Sequence, residues 1–239
     1  MLSSCQYNLD RQAQKAADKQ KRDTIVSYNI QLAMGYMAQG DMPRAKRKLL
    51  IAQDRAPDSA EVKGAMAYFL EKTGDIAGAR DYYRKALEGK SIQGASLNNY
   101  GAFLCRLGHY AEADSYFLKA IADKRYINSA DAYENAGLCA NAIPDKSKAR
   151  AYFIRALEQD SRRKQSLYEL VSIELENKNP ESALAYLQQY QALLLTDKTL
   201  LTVALQAAHQ AGEVEREQAY THMMMGLSGE KNEYHTDNG

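Results

Sequence analysis

Thirty-four residues separate Ala45, Ala79 and Ala113. The same interval separates Gly40, Gly74 and Gly108, and again Ala52, Ala86 and Ala120. A fixed period with small residues at fixed offsets constrains the fold more than any other feature of the chain. Each period is too short to bury its own apolar face, so neighbouring copies must stack to make a core.

A 34-residue period with these offsets reads as a tetratricopeptide array, each repeat two antiparallel helices, A and B. The fold class it implies is all-α: a right-handed α-solenoid of six helix pairs. The repeats span 26–59, 60–93, 94–127, 130–163, 164–197 and 198–227, the fourth after two extra residues. Within a repeat, small residues at positions 8, 20 and 27 lie where helices approach closest, and large residues at 4, 7, 11 and 24 fill the spaces between. Glycine at position 15 ends helix A, because it tolerates positive φ. In repeat four Pro144 takes that place, and in repeat five Pro180 follows Asn179 and opens helix B. Residues 1–24 are expected to form a polar tether or a fraying first helix, and 228–239 a disordered tail.

Such arrays bind rather than catalyse, and the composition agrees. The charge balance of 31 basic against 30 acidic residues gives no electrostatic footprint for nucleic acid. No apolar run is long enough for a transmembrane helix. His109, His209, His222 and His235 lack metal-ligand spacing, and no phosphate loop or nucleophile elbow is present. His109 reads as a solvated turn residue, and Met223, Met224 and Met225 as an apolar cap on the last helix. No catalytic, cofactor-binding or metal-binding residue is expected.

Two thiols fall on adjacent A helices. Cys105 is at position 12 of repeat three and Cys139 at position 10 of repeat four, so stacking brings them near one another. They are either buried small hydrophobes or a disulfide staple. A reducing compartment favours the first and an oxidising one the second.

Partner binding is expected on the A helices, at positions near 2, 5, 9, 12 and 13. In repeat one these are Ser27, Ile30, Met34, Met37 and Ala38; in repeat two, Glu61, Gly64, Tyr68, Glu71 and Lys72. Ile30, Met34, Met37 and Tyr68 are therefore expected to form an exposed apolar strip that contacts a partner. Asn98, Arg106 and Glu134 mark the next candidate surface. Chaperone-binding arrays carry Lys and Asn where this chain has Ile30 and Met34, which weakens a carboxylate-clamp reading.

The segment Leu2-Ser3-Ser4-Cys5 resembles the lipobox of bacterial lipoproteins, which implies acylation of Cys5 and a precursor extending upstream of Met1. Gln6, where inner-membrane lipoproteins often carry Asp, implies the outer membrane. Repeat three reads Leu97-Asn98-Asn99-Tyr100-Gly101-Ala102-Phe103-Leu104-Cys105, and repeat four Tyr133-Glu134-Asn135-Ala136-Gly137-Leu138. These runs resemble the type IV pilus biogenesis lipoproteins of the PilF/PilW kind. That resemblance implies an outer-membrane-anchored pilotin on the periplasmic face, whose partner is the pilus secretin and which takes no small-molecule substrate. The rivals are another envelope scaffold, for outer-membrane protein or cytochrome assembly, and a cytosolic adaptor.

Overall fold

The structure is a computed structural model; residues 2–88, 93–143 and 145–229 are described. Twelve α-helices and one 3-10 helix occur among them. The A helices are α1 (Leu2–Ala38), α3 (Ala60–Lys72), α5 (Gly94–Arg106), α7 (Ser129–Ala142), α9 (Lys164–Glu176) and α11 (Lys198–Ala211). Their B partners are α2 (Met42–Arg55), α4 (Ile76–Leu87), α6 (Tyr110–Ala122), α8 (Lys146–Gln159), α10 (Pro180–Gln189) and α12 (Val214–Gly229). The 3-10 helix η1 (Gln191–Thr196) follows α10. The chain divides into two compact units, Met1–Tyr100 and Gly101–Gly239.

The turns explain the glycine period. Gly40, Gly74, Gly108 and Gly212 all have φ between 70° and 88° and join an A helix to its B partner. In repeat five Lys178 occupies that position with φ 58°. Pro144, its counterpart in repeat four, lies outside the described residues. Each B helix then needs a partner for its first free N–H groups. Asp41, Asp75 and Asp145 cap α2, α4 and α8 in this way, each accepting from the N–H three residues on. Pro180 is the first residue of α10, where a missing N–H costs nothing.

The small-residue positions are sites of close helix approach. Ala45, Ala52, Ala79, Ala113, Ala120, Ala149 and Ala156 are all fully buried. In repeats three and four, position 8 packs against position 24 of the same repeat. A Cβ added to Gly101 would lie 2.9 Å from the Phe117 ring, and one added to Gly137 2.6 Å from the Phe153 ring. Where position 8 is Ala33 or Ala67, position 24 is Leu49 or Tyr83, and where it is Val171 the partner is Leu187.

In the first unit the core is Val26, Ile30, Ala33, Met37, Leu49, Val62, Met66 and Phe69 with their neighbours. In the second it runs from Phe153 through Leu167, Leu170 and Leu187 to Leu201 and Ala208. α1 and α12 both run past the expected bounds of the array, 25–227. α1 begins at Leu2, although residues 11–24 are exposed throughout and burial starts at Ile25. α12 continues to Gly229, so the expected tail begins inside a helix; residues 230–239 lie outside the described residues.

Candidate partner-binding surfaces

The apolar strip expected on repeat one is narrower than its sequence implied. Ile30 and Met37 are only 8% and 7% exposed and belong to the core of the first unit. Positions 5 and 12 turn into the core that α1 forms with α2 and α3, not towards solvent. Met34, at position 9, is 41% exposed. Tyr68, its counterpart on α3, is half-buried, with the Lys72 ammonium 5.3 Å from its ring centroid. The accessible apolar surface of these A helices therefore comprises Tyr28, which is more exposed still, with Met34 and the half-buried Tyr68.

The next candidate positions are more firmly occupied. Asn98 is buried. Glu134 on α7 accepts a hydrogen bond from Ser166 Oγ of α9 at 2.6 Å and pairs with Arg163 at 3.3 Å. Arg163 also pairs with Asp131 and, at 3.5 Å, with Asp160. Further along, Asn141 donates to Glu169 at 2.9 Å and accepts from Lys146 at 2.9 Å, and Lys146 reaches Glu176 at 2.8 Å. This ladder stitches α7 to its neighbours, so the charges it contains are already paired, while Leu138, at position 9 of α7's repeat, is exposed. Arg106 is exposed at the end of α5.

Cys105 and Cys139 are disulfide-bonded, with a Cα separation of 5.8 Å, and join α5 to α7 in the second unit. Beside the bond lies a cavity of about 630 Å³ lined by His109, Tyr110, Asp114, Cys139, Ile143 and Lys148. Lys148 Nζ donates to Asp114 at 2.8 Å, and the Tyr152 hydroxyl donates to the same carboxylate at 2.7 Å. Burial, reinforced by the Asp114 charge, pushes the Tyr152 phenol well above its ordinary range, so it acts only as a donor. His109 is exposed at the start of α6.

A second cavity, of about 530 Å³, lies against α12. Leu187, Leu194, Leu195, Tyr220 and Met223 line it, with Arg216 contributing a charge. Of the three consecutive methionines, Met224 packs on the core and Met225 is exposed. The period gave no warning of this cavity, because η1 interrupts repeat five where a B helix should continue. Cys5 falls within α1, but its side chain is outside the described residues. Among the described residues no group of three His, Cys, Asp or Glu could hold a metal ion. No helix among them is long and apolar enough to cross a membrane.

Comparison with known proteins follows the same pattern. A tetratricopeptide-repeat family model matches residues 30–95 and 145–194, and a second such model matches 94–127. The chain is 33% identical over 156 residues to the type IV pilus assembly protein PilF of Pseudomonas aeruginosa, covering 65% of this chain and 61% of PilF. It thus spans about three-fifths of that relative's length. Among solved structures, P. aeruginosa PilF superposes with a TM-score of 0.68 at 26% identity, covering 86% of this chain and 93% of that one. PilW, described as a widely conserved type IV pilus biogenesis factor, superposes with a TM-score of 0.66 at 26% identity, covering 84% and 93%. MamA, at 16% identity and a TM-score of 0.60, shares the fold alone.

Proposed function

Because this chain is a tetratricopeptide-repeat protein homologous to the type IV pilus biogenesis proteins PilF and PilW, we propose that it is a pilotin, which holds the pilus secretin at the outer membrane during assembly. The single observation that carries this reading is the homology to PilF, which extends over 65% of the chain. Tetratricopeptide scaffolds are generally non-enzymatic, and the work proposed here is adhesion. The secretin subunit docks on the A helices of the first unit around Met34 and Tyr68, the accessible apolar residues at position 9 of their repeats. Acyl chains on Cys5 hold the complex at the periplasmic face of the outer membrane. One chain binds a bilayer marginally, and several bind it stably. The Cys105–Cys139 disulfide supports an oxidising compartment such as the periplasm.

The test is capture from envelope extract. The parent protein is expected to retain the secretin, and the Met34→Glu/Tyr68→Ala variant to retain at least tenfold less at unchanged helicity. Charge at a contact meant for burial is costly, whereas neither side chain is buried in the core of its unit. Capture of an outer-membrane-protein insertase instead would replace the pilotin reading with that of a general envelope scaffold. Labelling with a fatty-acid analogue tests the anchor, and label that survives Cys5→Ser refutes it.

A further inference from the structure

The charge of this chain is balanced overall but not locally. Residues 11–55 carry ten Lys or Arg against four Asp and no Glu. Elsewhere exposed cations are commonly paired: Lys85 with Asp81, Lys146 with Glu176, Lys148 with Asp114, Arg155 with Glu158, Arg162 with Asp160 and Lys164 with Asp197. On α1 and α2 only Arg44 has such a partner, Asp41 at 3.1 Å. Among the described residues, Arg11, Lys15, Lys19, Arg22, Lys46, Arg47 and Arg55 make no ion pair.

Their placement is ordered. Arg11, Lys15, Lys19 and Arg22 share one helical face, because steps of three and four residues nearly complete a turn. Continued along α1, that face becomes Val26, Ile30, Ala33 and Met37, which pack into the core with α2. The stripe therefore continues the face of α1 that packs on α2 and α3. On the outward surface of α2, Arg47, Ile51 and Arg55 form one row at four-residue spacing, and Lys46 and Leu50 lie in the next. Leu50 and Ile51 are 47% and 42% exposed. Two large apolar side chains thus stand in the open among Lys46, Arg47 and Arg55, with Asp54 the one acidic neighbour on α2.

We infer that α2, together with the cationic stripe of α1, is a docking surface for a bilayer with anionic headgroups. The cations meet phosphate, and Leu50 and Ile51 enter the headgroup layer between them. A row of unpaired charge extended over two helices fits a broad anionic surface better than a single acidic side chain or peptide end. The surface is separate from Cys5 and from the secretin reading, and it places α1 along the membrane and not upright on it.

The test uses the full chain with Cys5→Ser, so that no acyl chain contributes. It is mixed with vesicles of phosphatidylcholine alone or of phosphatidylcholine with phosphatidylglycerol, and the bound fraction is read by flotation. Binding to the anionic vesicles only, weakening steeply with salt, is expected. Each cation removed lowers partitioning roughly fivefold at low salt, so Lys46→Gln/Arg47→Gln loses about 25-fold. Leu50→Ser/Ile51→Ser is expected to weaken binding while leaving the salt dependence in place. Circular dichroism checks that both variants keep the parent's helicity. Three results overturn the inference: no binding to anionic vesicles at low salt, equal binding of the Lys46/Arg47 variant, or full competition by polyglutamate with the Leu50/Ile51 variant binding as the parent. The last would mark a site for acidic polypeptides.

Discussion

Replacing Gly137 with alanine tests whether the repeats are held by close packing of a small residue against a large one. Three contacts set the magnitude. The added Cβ would stand 2.6, 2.8 and 3.0 Å from ring atoms of Phe153. Optimal carbon–carbon separation is about 3.5–4.0 Å, so the ring must retreat by roughly an ångström. Phe153 is fully buried in a core with Leu157, Leu167 and Leu170, which leaves it nowhere to go. Overpacking of this kind costs about 1–3 kcal/mol. Alanine in mid-helix recovers about 0.5–1 kcal/mol of backbone entropy. The net expectation is a loss of about 1–2 kcal/mol, which lowers Tm by about 2–4 °C per kcal/mol for a chain of this size. Repeat one already contains the remedy, since Ala33 there faces Leu49. The double variant Gly137→Ala/Phe153→Leu should therefore be more stable than the two single losses predict, with a coupling of at least about 1 kcal/mol. Urea titrations of parent, singles and double, followed by circular dichroism, measure all four corners. Additive losses, or a Gly137→Ala protein as stable as its parent, would refute the packing account.

Removing the disulfide by Cys105→Ser/Cys139→Ser, or by reduction, should destabilise the second unit by about 3–4 kcal/mol in the chain-entropy model for a sequence separation of 34. Reductant should lower the Tm of the parent and leave the double-serine protein unmoved. Asp197 accepts from the Thr199 and Leu200 N–H groups and pairs with Lys164 at 3.2 Å. Burial opposes its ionised form, yet these partners outweigh burial and hold its pKa below the ordinary carboxylate value. Its contribution is thus present above the unfolded pKa and lost as pH falls through the folded one. Asp197→Ala should cost about 1 kcal/mol at neutral pH and progressively less in acid, measured as Tm against pH. At the Gly74 turn, φ +88°, no atom would touch an added Cβ, so Gly74→Ala should cost about 1–2 kcal/mol from backbone strain alone.

The period alone located the helix pairs, because stacking demands the same small residues at the same depth in each repeat. It also placed Cys105 and Cys139 on neighbouring A helices. The orientation of the A helices was less legible. Ile30 and Met37 look like solvent-facing positions in an isolated helix, and only the packing of α2 and α3 against α1 buries them. The ionic ladder of Glu134, Arg163 and Ser166 depends on side chains about thirty residues apart, which no local pattern in the sequence reports. In repeat five Lys178 adopts the conformation that glycine supplies elsewhere, so a search for glycine alone misses that turn.

The pairing of position 8 with position 24 also bears on how such a chain avoids folding errors. Helices of similar length and amphipathic pattern offer many wrong partners, and in a repeated sequence the wrong partner is always nearby. Repeats three and four share one key, Gly101 with Phe117 and Gly137 with Phe153, and the helix bearing Gly137 would leave a void against Leu49. Exchange of a glycine-bearing A helix into repeat one is thereby penalised by emptiness, whereas exchange between repeats three and four is not. A segment of one period copied within the chain would carry its key with it.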